Sequence, residues 1–550
     1  MPAKTLLKKL LQRPNAEETL ELLRALAATT HTAKTLEAFH DQLLFYKAYP
    51  VSDGVRRFCD KELVHFHERI TEDLADALIQ SGIAGTKLYY AFDYANAKYM
   101  QKQLGGFADL DWEDYEAKDH DPLASMLWLL LENAEADACD SETLTVREIL
   151  QRAAGYRTVL SMLLSRFDQI YPEQVADTLY NDASLMLDMT LIPDGPSRTT
   201  TALPRPKDLW IWSPENAKLK LNFAEEIARP LEIPAPASTK RGQELLNIVH
   251  GTLTVRSREY FGAAHGNPAE MYEIQLERGG TLLVWFMQPQ WRLPQEAGWG
   301  FLMLKNGVPI SYGGGGMHPT RLEIALNLFD TFRGGEAAWI YASLVRAARA
   351  FCPAPWVIAR KYQIGYENKE ALASGAYWFY DKLGLRPTTV AGRKLADSER
   401  KKIAKTKGYR SPITALKKLS DADVVLGVHG QDPAPYREYP LDEVGMLAAQ
   451  KLSEFGPRDA NFHKRLLKAV EERLGFALPA MPASEKHWVG QHGAWLLSLD
   501  ETKSWSNEQK ATWLAMARGK GGAYEADYLK NAAKLSGYFD ELAAEGLKKA

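Results

Sequence analysis

At 550 residues the chain exceeds the size at which a single hydrophobic core keeps growing, so about three domains are expected. Hydrophobic residues make up 46% and charged residues 25%, proportions that exclude a disordered or fibrous chain. A net charge of -3 gives no global attraction to nucleic acid or to an anionic membrane, and the odd, widely spaced set Cys59, Cys139 and Cys352 excludes a disulfide framework.

Near the N-terminus, residues 4–11 (Lys-Thr-Leu-Leu-Lys-Lys-Leu-Leu) are basic and amphipathic but lack the apolar core and cleavage site of a secretory signal. No later apolar run is long enough for a bilayer, so a cytoplasmic protein without a membrane partner is expected. Apolar residues then recur at helical spacing, as in Leu20, Leu23 and Leu26 and in Leu36, Phe39 and Leu43, which predicts a helical domain over 1–194. Asn15 stands three residues before Glu18, a capping-box spacing. Further helices are expected near 60–81, 122–134, 145–165 and 172–187. Glu37-x-x-His40 and Glu62-x-x-His65 have the spacing used by di-iron bundles, but such sites need glutamates from two more helices. Phe39 and Phe66 beside them read as packing, and no metal is expected.

Pro193-Asp194-Gly195-Pro196 changes the composition, so 195–240 reads as a linker or crossing segment. A helix over 240–250 opens the next domain, 241–390. Strand period follows in 271–276 and 281–286, separated by Arg278-Gly279-Gly280. Residues 300–304 and 308–312 flank Asn306-Gly307, whose residue types suit the two positive φ angles of a type I′ hairpin turn. The return strand runs into Gly313-Gly314-Gly315-Gly316, a mark of a bulge or of close approach by another backbone or ligand. A strand over 321–329 then leads through a glycine-bearing loop to a helix over 337–351, an arrangement whose free N–H groups suit a phosphate. A short strand at 356–359 precedes a helix carrying Tyr377-Trp378-Phe379-Tyr380-Asp381-Lys382-Leu383-Gly384-Leu385-Arg386-Pro387.

In that order of elements, residues 299–387 resemble the GNAT superfamily of N-acetyltransferases. The resemblance implies an α+β fold, with a central mixed-sheet acyltransferase domain between N-terminal and C-terminal all-helical regions. It implies acetyl-CoA or another acyl-CoA as co-substrate, with Leu328, Arg333, Gly334, Gly335, Glu336, Ala337 and Ala338 at the positions that hold its pyrophosphate. Tyr380 matches the acid that protonates the departing thiolate, a task suited to a phenol that stays protonated at neutral pH. Glu323 matches the strand glutamate that takes a proton from the amine. Two positions depart from the pattern. Glu336 brings a carboxylate to a loop that would face phosphate, and the usual asparagine is replaced by Ala373, with Asn368 five residues earlier. Arg292 and Arg360 are candidate anchors for an acidic acceptor or for CoA phosphates.

The remainder, 391–550, reads as a helical region. It starts with a basic stretch (Arg393, Lys394, Arg400, Lys401, Lys402, Lys405, Lys407) and continues with Trp488, Trp495, Trp505 and Trp513, which read as packing anchors. The function expected is an N-acyltransferase acting on a small-molecule or protein amine, with the helical flanks recruiting the acceptor or a protein partner. The alternatives are a non-catalytic GNAT-like scaffold, which Glu336 favours, and a transferase using aminoacyl-tRNA, which only the basic stretch favours. Nucleic acid is otherwise not expected as a partner.

Overall fold

Short polar residues start many of the helices, as their side chains accept the otherwise unpaired first N–H groups. Asn15 Oδ1 accepts from Glu18 N at 3.0 Å, and Thr145 with Glu148 forms a reciprocal capping box. The computed structural model describes residues 1–141, 143–213, 221–333 and 336–549. The architecture is α+β, with a mixed central sheet and mainly helical flanks.

Twelve strands are described: β1 (Lys87–Tyr90), β2 (Ala108–Leu110), β3 (Leu187–Thr190), β4 (Gly266–Gln275), β5 (Gly280–Met287), β6 (Ala297–Lys305), β7 (Val308–His318), β8 (Arg321–Glu323), β9 (Ala325–Leu328), β10 (Trp356–Ala359), β11 (Arg386–Pro387) and β12 (Val424–Gly427). Nine of them form the central sheet, in the order β11-β12-β10-β8-β7-β6-β5-β4, with β9 also paired to β7. Among the described residues of this sheet only β8 and β10 run parallel; the other pairings are antiparallel.

The flanks are not helical throughout. In the N-terminal region β1, β3 and β2 form a separate antiparallel sheet. From the C-terminal region β12 inserts between β10 and β11. Strands of three or four residues are too short for their period to register in sequence. Expected helices are also shortened. The one over 145–165 breaks at Gly155, whose φ of 62° ends Val146–Ala154 before Val159–Phe167 begins. The one over 60–81 is instead Asp53–Val64 followed by single turns, and that over 122–134 keeps only short turns up to Leu130.

Buried apolar side chains fall into two large clusters. One runs from the first helices, at Ala3, through the sheet to Leu542 in the last helix. The other belongs mainly to residues 88–191 around the small sheet. Two polar contacts tie the parts of the larger cluster together. At the β6–β7 turn, Asn306 and Gly307 have φ of 46° and 83°, yet Asn306 is only 1% exposed. Its Nδ2 donates to Ala48 O (2.8 Å) and Trp210 O (2.9 Å), its Oδ1 accepts from Trp210 N (3.0 Å), and its carbonyl accepts from Arg56 Nη1 (2.9 Å). The hairpin tip is therefore a docking point for the N-terminal helices.

At the opposite end of β6, in the β5–β6 connection, Arg292 clamps the C-terminal helices, its Nη1 donating to the carbonyls of Lys520 and Gly522, each at 2.8 Å. Glu270 on β4 accepts Glu525 N (2.7 Å) and Ala526 N (2.8 Å), and Lys520 pairs with Glu525. All four side chains are fully buried. Arg292 is thus consumed by the fold and is not an acceptor anchor. Removing one partner from such a cluster leaves an uncompensated charge, so Arg292→Ala is expected to cost about 3–5 kcal/mol in urea denaturation.

Buried histidines set an acid limit. Burial lowers His250 and His265 to about 4 and His492 to about 3. Below pH 6.5 the unfolded chain takes up protons that the folded chain refuses, so stability holds above pH 6.5 and falls as the pH drops towards 4. Each of these histidines contributes about 3 kcal/mol to that fall. Urea midpoints measured across this range check it, and His250→Gln should flatten the slope.

Candidate functional site

The site begins with the glycines of β7. They lie inside the strand, not in a surface loop, because a Cβ on Gly313, Gly314 or Gly315 would collide with Ala325 O, with Trp299 O and the Tyr260 hydroxyl, or with Glu323 O. Bare backbone here lets β8 and β9 pack close across β7.

The expected 321–329 strand is accordingly two. β8 pairs in parallel with β10 at Leu322↔Val357 and Glu323↔Ile358, and Ile324 N donates to Ile358 O at 3.1 Å. After that bond the neighbours part. β9 stays on β7, from Gly314↔Ala325 to Ser311↔Leu328, whereas β10 ends at Ala359 and leads into the short helix Lys361–Ile364. A fork opens between β9 and β10.

Tyr380 stands in this fork. Its helix, Ala376–Lys382, packs on the helix Ala337–Phe351, and its ring meets Tyr341 edge-on with centroids 5.4 Å apart. The Leu326 amide of β9 lies against the phenol oxygen, while burial raises the phenol far enough to keep it protonated. Glu323 sits at the vertex, three residues before Leu326. Its Oε2 accepts from Arg360 Nε at 2.7 Å, and its carbonyl accepts from Trp299 Nε1 at 3.2 Å. Arg360 also pairs with Asp423 (3.0 Å) and Glu438 (3.2 Å). Buried Arg321 pairs with Glu438 (2.6 Å) and Glu296 (2.8 Å). Two guanidiniums therefore face four carboxylates. Arg360 is saturated by acidic partners rather than free for an acidic ligand, and the surroundings of the vertex carry excess negative charge.

Beyond Leu328, the last residue of β9, the chain turns through Asp330–Phe332 towards the helix Ala337–Phe351. Arg333 is exposed and pairs with Asp330 (2.8 Å) and with Glu370, bracing the loop against the helix Lys369–Ser374. Gly334 and Gly335 lie outside the described residues. Ala337 and Ala338 form the half-buried first helical turn, and among the described residues no side chain caps it.

Glu336, at the N-cap, is engaged on both oxygens by Arg278 (3.2 Å) and Lys305. The Lys305 side chain is fully buried, with its ammonium 3.7 Å from the Trp210 ring centroid and 5.3 Å from that of Trp339. Burial lowers it to about 8 against the opposing pull of Glu336. The carboxylate is thus neutralised within the protein, a pairing between positions 31 apart that no local spacing reveals. Asn368 caps Lys369–Ser374 by accepting Ala371 N at 3.0 Å and donates to Tyr362 O at 3.2 Å.

No family model, curated protein or solved structure matches the chain. Among the described residues no helix is long and apolar enough to cross a membrane, and no group of three or more His, Cys, Asp or Glu side chains is arranged to hold a metal. Members of the two Glu-x-x-His pairs have other partners: His40 meets Thr199 Oγ1 at 2.9 Å, Glu62 meets Arg69 at 2.7 Å and His65 meets Glu68 at 2.9 Å.

The Lys305–Glu336 pair yields a direct check. Glu336→Ala strands a buried ammonium and should cost about 3 kcal/mol in denaturation measurements, whereas Lys305→Met combined with Glu336→Leu should cost markedly less.

Proposed function

We propose that the protein is a GNAT-like N-acyltransferase that moves an acyl group from acyl-CoA to an amine. The reading rests on the fork between β9 and β10, where a buried, protonated tyrosine meets strand backbone freed from its parallel neighbour. An extended thioester arm suits such a gap, because parted strands offer backbone groups as a strand-like ligand does. The uncapped start of Ala337–Phe351, which follows β9 in the chain, suits the diphosphate, and the Arg278–Lys305–Glu336 triad removes the repulsion that a free carboxylate would cause. Tyr380 then donates its proton to the departing thiolate sulfur. Glu323 receives the proton of the amine, which attacks the thioester carbonyl as the C–S bond breaks. The excess of carboxylates around the vertex favours a cationic acceptor, whose ammonium competes with Arg360 for Glu323.

Calorimetry with acetyl-CoA and longer acyl-CoAs tests the donor. Absence of heat at about millimolar ligand leaves the scaffold reading, which the Arg360–Glu323 pairing favours. With binding established, Tyr380→Phe is expected to lower turnover about 100-fold, read as free CoA thiol with a panel of amines, at nearly unchanged acyl-CoA affinity. Unchanged turnover removes the acid role.

A further inference from the structure

The helix Val390–Lys405 and the helix Ile413–Leu419 concentrate positive charge in an otherwise acidic chain. Residues 390–419 contain ten lysines and arginines against two carboxylates, in a chain whose net charge is -3. Intramolecular contacts absorb part of this. Arg393 donates to the carbonyls of Pro387 and Thr388, Arg400 pairs with Asp381 and Asp397, and Lys402 pairs with Glu399. Lys401, Lys405, Lys407, Arg410, Lys417 and Lys418 are exposed and pair with no carboxylate among the described residues.

One buried carboxylate organises the display. Glu399 is 1% exposed and accepts from Tyr409 Oη (2.9 Å), Ser411 Oγ (2.6 Å) and Lys402 Nζ (2.7 Å). It ties the connection between the helices back onto the first of them, while the second helix, with exposed Lys417 and Lys418, is seated on the body through buried Leu416 and Leu419. Every residue from Lys401 to Gly408 is exposed, and the end of the first helix therefore stands clear of the body on all sides. Lys401 and Lys405, one turn apart on that end, repel each other until an anion lies between them.

We infer that this projection binds the phosphate backbone of a nucleic acid. Lysine ammoniums act as point charges that suit phosphate contacts without base readout. A membrane-lying helix would need a continuous apolar stripe, and over 401–408 the aliphatic side chains are only Ile403 and Ala404, surrounded by cations. The inference does not depend on acyl transfer.

Fluorescence anisotropy with a labelled RNA hairpin and a labelled DNA duplex tests it on the full chain. Affinity should fall steeply with salt. Lys401→Glu/Lys405→Glu/Lys407→Glu should weaken binding at least about tenfold at low salt and reduce the slope of log affinity against log salt by about two to three. Lys417→Gln/Lys418→Gln should weaken it in the same direction, which keeps the test valid if the triple variant misfolds. Lys8→Glu/Lys9→Glu, exposed on the first helix, should leave binding unchanged. No binding to either probe overturns the inference, as does binding that none of the 401–418 variants changes. Co-sedimentation with phosphatidylserine vesicles without nucleic-acid binding also overturns it, in favour of a membrane surface.

Discussion

Two parallel strands share a ladder only while they run side by side, and the candidate site is built where that condition stops. The last shared bond is Ile324 N to Ile358 O. Beyond it β9 is held by β7 alone, and β7 can hold it so closely because its glycines present no Cβ to the crossing carbonyls. The fork is therefore fixed from behind. Leu326, where the Tyr380 phenol rests, is presented by a strand braced on one edge and open on the other.

Charge is placed to keep this region rigid without neutralising it. Inside the fold, Arg292 and Lys520 meet Glu270 and Glu525 in a closed group of two cations and two carboxylates, and at the start of the helix Ala337–Phe351 two cations, Lys305 and Arg278, enclose Glu336. At the vertex the balance differs, with Arg321 and Arg360 outnumbered by Glu296, Glu323, Asp423 and Glu438. A closed group mainly fixes geometry, whereas an unbalanced one leaves a field that a small cation feels.

The sequence disclosed the features that depend on neighbours a few residues apart. Asn306-Gly307 takes the positive φ values its residue types favour, strands β4–β7 form between turn signals a few residues long, and the glycine run marks a close approach. What it hid depends on distant partners. The insertion of β12 between β10 and β11, the capture of Glu336 by Lys305, and the use of Arg292 to seat the C-terminal helices join positions far apart in the chain. The break at Ile324 is invisible too, since the apolar residues run on through it while only the hydrogen-bond partner changes.

The buried turn at Asn306 has a chemical consequence. An Asn-Gly pair is the sequence most open to ring closure between a side-chain amide and the following backbone nitrogen, because glycine offers no hindrance. Here the amide is tied by three hydrogen bonds to Ala48 and Trp210, and water is excluded. The hairpin that seats the N-terminal helices is by the same contacts shielded from deamidation, so ageing of the chain should begin at exposed asparagines and spare this one.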